Sequence, residues 1–154
     1  MMRSEIYEEG IGSSDEKKPL KLITPKWDDT PKFWPAIEGW IAAALEHGGV
    51  MLWPQDIYNA LIARTMKLWL AFDGATLKGC MVTQLANYPR IKVLSIVAAG
   101  GRDAREWMQF DSTISEYARI LDCEAIEFLG RQGWEKMVAP YGYKPVVTVF
   151  RKTL

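Results

Sequence analysis

Apolar residues recur at two periods along this chain, and the changes of period mark its elements. Leu20-Lys21-Leu22-Ile23-Thr24 alternates and stops at Pro25, the pattern of a short edge strand. Asp28, Asp29 and Thr30 offer caps ahead of Pro31, and Trp34, Ile37, Ile41, Ala44 and Leu45 then recur at helical spacing until His47-Gly48-Gly49 stops the helix. A second helix starts at Pro54 and turns Ile57, Leu61 and Ile62 inward. From Lys67 the period falls to two: Leu68, Trp69, Leu70 and Phe72 lead to the hairpin signal Asp73-Gly74, and 77–88 supplies the partner strand. After Pro89-Arg90, the largely apolar run 91–97 predicts a central strand buried on both sides.

Gly100-Gly101 next reads as a turn into a helix over 103–121, carrying Trp107, Phe110, Ile114, Tyr117, Ala118 and Leu121 on one stripe. Ala125, Ile126 and Phe128 mark another strand, 132–139 a short helix and 146–150 a final strand. The predicted order is β-α-α-β-β-β-α-β-α-β, an α/β (α+β) domain with one mixed, mostly antiparallel sheet flanked by helices.

Length and composition narrow this picture. With 154 residues, 49% of them hydrophobic, the chain supports one core, assigned to 19–154; residues 1–18, rich in Glu, Ser, Gly and Lys, read as a charged tail. Nineteen basic residues balance nineteen acidic ones, so no long-range field draws the protein to nucleic acid or to anionic membrane. The opening residues are too polar for a signal peptide and the apolar runs too short to span a bilayer, which implies a cytosolic protein. A single histidine, His47, excludes a multi-histidine metal centre, and Cys80 and Cys123 form no CxxC pair, so no metal is expected.

The candidate chemistry centres on the glycine pair. Unpaired N–H groups at a glycine turn and helix start make an anion site, here Gly100, Gly101, Arg102, Asp103 and Ala104. Asp103 followed by Glu106 has the spacing of a capping box and would set carboxylates at that end, while Arg102 and Arg105 could donate to a pyrophosphate. Glu38, His47 and Asp73 are available as a base, yet each also suits a plain role: helix face, helix end and hairpin turn. Trp34, Trp69 and Trp107 fall at core periods, whereas Trp27, Trp53 and Trp134 stand at element ends and are candidate interface anchors.

The order of elements, with a long helix entered from a glycine turn after the third hairpin strand, resembles the GNAT superfamily of acyl-CoA-dependent N-acetyltransferases over roughly 20–152. The stretch Gly130-Arg131-Gln132-Gly133-Trp134, followed by Pro140-Tyr141-Gly142-Tyr143, is similar to short GNAT-like proteins of tailed bacteriophages. The resemblance implies that strands splay beside the glycine turn to admit acetyl-CoA, and that Val97, Ala98, Ala99, Gly100, Gly101, Arg102, Asp103, Ala104 and Arg105 form the acyl-CoA-binding stretch. The family's glycine motif matches in no register. Its acid, a tyrosine four residues before a Gly-aromatic pair, is replaced by Val138 ahead of Gly142-Tyr143, with Tyr141 the nearest substitute.

These departures point to a degenerate N-acetyltransferase, weak or inactive, serving as a binding or structural protein and carried as a tailed-phage virion component. The alternative is an active acetyl-CoA-dependent enzyme acting on an amine. The family's usual C-terminal hairpin also lacks its last strand after Phe150, which implies pairing with protein partners through the open sheet edge and the N-terminal tail.

Overall fold

The computed structural model describes residues 6–8, 20–47, 51–101 and 104–154. Its centre is a six-stranded sheet in which every neighbour in space is also a neighbour in sequence. The strands are β1 (Ile6–Glu8), β2 (Lys21–Ile23), β3 (Lys67–Asp73), β4 (Thr76–Asn87), β5 (Lys92–Gly101) and β6 (Ala125–Phe128). All pairs are antiparallel except β5 with β6, whose parallel register needs the crossover through the helical segment between them. β1 lies within the stretch read as a tail; its three residues pair with β2, and the rest of 1–18 lies outside the described residues.

Among the described residues four α-helices flank the sheet: α1 (Thr30–His47), α2 (Pro54–Ile62), α3 (Asp111–Ile120) and α4 (Glu135–Val138). α1 follows a 3-10 turn at Trp27–Asp29, and the Thr30 hydroxyl donates back to the Trp27 carbonyl at 3.2 Å. At the start of α2 the Trp53 backbone N–H donates to the Asp56 carboxylate at 2.8 Å, satisfying one of the donors a helix start leaves open. Ile57 and Leu61 turn inward as expected, but Ile62 is exposed. It lies one residue, about 100° of helix, beyond Leu61.

The period-two pattern of β3 builds two cores. Leu68 and Leu70 join Cys80, Val82 and Ala98 under Ile37, Ile41, Leu45, Ile57 and Leu61 of the first two helices. Trp69 and Ala71 face the other way, with Leu22, Met81 and Leu94, beneath Phe110, Ile114 and Ala118. In this second core the Trp69 indole N–H donates to the Thr83 hydroxyl at 3.0 Å, a buried pair that fixes the ring. Lys67 is also buried, with its ammonium 5.2 Å from the ring centres of both Trp69 and Tyr117 and 5.9 Å from that of Trp27. Trp27, read as an interface anchor, is thereby part of an internal contact.

Three expectations are corrected. Gly100 and Gly101 do not form a turn: they are the last residues of β5, paired with Cys80 and Gly79 of β4. The helix predicted over 103–121 is instead a 3-10 helix at Ala104–Phe110 followed by α3 over Asp111–Ile120. No strand forms at 146–150, where Val146, Val147, Val149 and Phe150 are 73, 78, 64 and 92% exposed.

Candidate functional site: a cleft where two parallel strands part

The packing at the end of β5 explains the glycines. A Cβ on Gly100 would lie 2.8 Å from Cβ and 2.9 Å from the carbonyl oxygen of Trp40, so α1 crosses the strand at glycine distance. Gly101 has φ of 130° and its added Cβ would run into the Lys78 carbonyl oxygen and the Gly79 backbone. A side chain is therefore excluded at both positions, by a helix at one and by backbone shape at the other.

Val97 is the pivot of the site. Val82 pairs with Ala98 and Thr83 with Ile96, which leaves Val97 as an extra residue bulging from the β4–β5 ladder. A bulge bends its strand and increases local twist. On the opposite side, β5 pairs with β6 from Val93↔Ala125 to Ile96↔Phe128 and no further. β5 continues to Gly101, so the two strands part at the bulge and leave the backbone from Val97 to Gly101 without a strand on that side.

A cleft of about 510 Å³ opens there. β5 contributes Val97, Ala98, Ala99, Gly100 and Gly101 to its wall; Trp107 and Met108 of the 3-10 helix, Phe128 of β6 and Trp40 of α1 enclose it. Among the described residues lining it, only Asp111 and Arg131 carry charge, with Gln84, Ser95 and Tyr143 as further polar side chains. The cleft is thus largely apolar, with a few polar groups, as small-molecule sites are. No group of three potential metal-ligating His, Cys, Asp or Glu side chains occurs among the described residues.

Tyr143 is a polar side chain of the cleft that sequence reasoning did not single out as a site residue. Its hydroxyl donates to the Asp111 carboxylate at 3.1 Å, and its ring stands edge-on to Phe128 at 5.7 Å, at the point where the strands separate. Burial first, and then the charge and hydrogen bond of Asp111, push this phenol well above the usual tyrosine range, so it stays protonated. Tyr141, the substitute acid read from the sequence, is 46% exposed and lines no part of the cleft, because Gly142 with φ of 94° turns the chain after the 3-10 helix Ala139–Tyr141. Val138 is buried and does line it. Glu38 and Asp73 are exposed away from the cleft, and His47 is the last residue of α1. Of the anion site, Arg102 and Asp103 lie outside the described residues, while Ala104 and Arg105 begin the 3-10 helix. Trp134 lines the cleft against Phe128, whereas Trp53 is 74% exposed.

No protein-family model and no curated protein sequence matches the chain. Its fold, however, is found among solved structures. A protein from Clostridium acetobutylicum, described as a predicted acetyltransferase and solved with acetyl-CoA, is similar with a TM-score of 0.64 at 10% identity, covering 87% of this chain and 96% of that one. An aminoglycoside acetyltransferase from an uncultured soil metagenomic sample, solved with trehalose, gives 0.63 at 13% identity over 88% and 96% of the two chains. An acetyltransferase from Trypanosoma brucei gives 0.58 at 12% identity over 88% and 99%. Similarity this complete at such low identity is a likeness of architecture, and the chain therefore has the fold of the GNAT acetyltransferases.

Proposed function

We propose that the protein binds acetyl-CoA, or a closely related acyl thioester, in the cleft between β5 and β6 and is at most a slow acyltransferase. The observation that carries this reading is the parting of the two strands at Ile96 and Phe128 beside a cleft of about 510 Å³. The backbone of Val97, Ala98 and Ala99, left without a strand partner on that side, suits an extended, amide-bearing arm that adds itself to the sheet as a strand would. Arg102 and Arg105 follow β5 in the sequence and are the candidate charged donors to the pyrophosphate. The structure with acetyl-CoA bound belongs to the Clostridium acetobutylicum protein, and it lends the same ligand to this proposal.

In acyl transfer the amine nitrogen bonds to the acyl carbon, the carbon–sulfur bond breaks, and the thiolate takes up the proton the amine loses. The cleft serves the first requirement, proximity, better than the second. Val138 holds no proton to give, and the Tyr143 proton is committed to Asp111. Weak turnover with real binding follows.

The test is hydrogen exchange with and without acetyl-CoA, run beside an assay of thiol release over a panel of amines. Slowed exchange across 96–101 and 128–130, with little thiol released, is the expected pair of results. Unchanged exchange at saturating ligand would sink the proposal, and rapid thiol release would overturn its slow-turnover half.

A second reading, a binding component that retains the fold for its shape, is favoured by the lack of a free acid among the described cleft residues and by the exposed apolar segment after Tyr143. Its setting in a tailed-phage particle rests on the sequence resemblance around 130–143 alone.

A further inference from the structure

After Tyr143 the chain runs outside any helix or strand through Lys144-Pro145-Val146-Val147-Thr148-Val149-Phe150, which has the composition of a β-strand, yet it pairs with no strand of the described sheet. Isolated apolar side chains on a surface need no explanation, but here four stand within five residues, with Phe150 at 92% exposure. The same chain carries the complementary defect. β6 is the last strand of the sheet, so one of its edges is open, and Leu129 directly after it is 58% exposed. Tyr143 packs on Phe128, which starts the unpaired segment beside the end of that open strand.

We infer that two copies of this protein associate by exchanging these segments, the 146–150 strand of each pairing with the β6 edge of the other. A second copy is the partner the observations favour, because one chain carries both the spare apolar segment and the open β6 edge beside it, and a two-fold exchange matches the two reciprocally. Charge fits the same pairing: Glu127 is exposed on β6 and Glu124 just before it, while the spare segment is flanked by Lys144 and Lys152. The strand would also cover the outer side of the cleft, since Phe128 and Leu129 line it. The inference does not depend on what the cleft binds.

Sedimentation velocity of the full chain across a wide concentration range tests it, with Val149→Pro and Glu127→Lys as variants. Val149 is exposed outside any element, so the proline leaves the protomer intact while removing a ladder donor. The expected result is a wild-type mass that doubles with concentration, and a dimer weakened by Val149→Pro at least about tenfold, equivalent to ~1.4 kcal/mol. Glu127→Lys should weaken it by a smaller factor that shrinks with added salt. A wild-type chain that stays monomeric throughout, or a dimer that Val149→Pro leaves untouched, overturns the exchange. So does a monomer whose 146–150 amides exchange slowly, which would place the strand on its own edge.

Discussion

Replacing Gly100 with alanine adds one methyl group where α1 crosses β5, and the structure sets the scale of the response. The new Cβ would sit 2.8, 2.9 and 3.1 Å from Cβ, O and C of Trp40, of which two are backbone atoms. Neither can rotate away, so helix and strand must separate by roughly half an ångström or more to restore ordinary contact. Overpacking of this kind costs ~1–3 kcal/mol. Alanine also restricts the unfolded chain, which returns ~0.4–1 kcal/mol. The net expectation is a loss of about 1–2 kcal/mol, or ~2–8 °C in melting temperature for a domain of this size. Urea unfolding followed by tryptophan fluorescence, with calorimetry beside it, reads this directly. Gly39→Ala is the matched control: that glycine lies inside α1 with nothing within 4 Å of a built Cβ, so it should gain ~0.5–1 kcal/mol. A Gly100→Ala protein as stable as wild type would refute the close approach and return the glycine pair to a loose turn.

Other side chains give sharper chemical readouts. Thr83→Val keeps the shape of the second core but leaves the buried Trp69 indole N–H without its 3.0 Å acceptor, and should cost ~1–3 kcal/mol in urea unfolding. The Cys80 thiol is pushed up to about 12 by burial, partly countered by the Gly100 backbone N–H, so near pH 8 it should react with a disulfide reagent only on unfolding, well after Cys123. Because its folded value lies above the unfolded 9.0, that contribution to stability is complete below pH 9 and lost as pH rises toward 12; melting curves should decline across that window, and less so for Cys80→Ala. Tyr143→Phe removes the hydroxyl that donates to Asp111, and alkaline ultraviolet titration should then lose a late-ionising phenol rather than an ordinary one.

The parts of the fold readable in advance are those fixed by local pattern. Two-sided alternation in β3, the Asp73-Gly74 hairpin and the stripe of α1 each follow from neighbours a few residues apart, and each forms where the pattern puts it. The end of β5 did not, because a glycine pair ordinarily signals a turn, and here its cause is a helix sixty residues earlier pressing on the strand. A second clue was available in Gly79, the cross-strand partner of Gly101, since glycines clustered on paired strands mark close backbone approach. The bulge at Val97 leaves no trace in composition and depends on the register of two strands. The Tyr143–Asp111 pair spans 32 residues, so no local motif announces it. The segment 146–150 is the reverse case: its strand pattern is plain, but no strand in the described sheet lies beside it.

The account turns on whether the parted strands receive an acyl thioester, and isothermal titration of the protein with acetyl-CoA addresses that most directly. Val97→Trp provides the comparison, since it fills the cleft from the bulge while melting and far-ultraviolet spectra verify that the variant remains folded. The account predicts saturable one-to-one binding to the wild-type chain, abolished or greatly weakened in Val97→Trp. No heat at millimolar acetyl-CoA, or equal binding by a folded Val97→Trp protein, would contradict it.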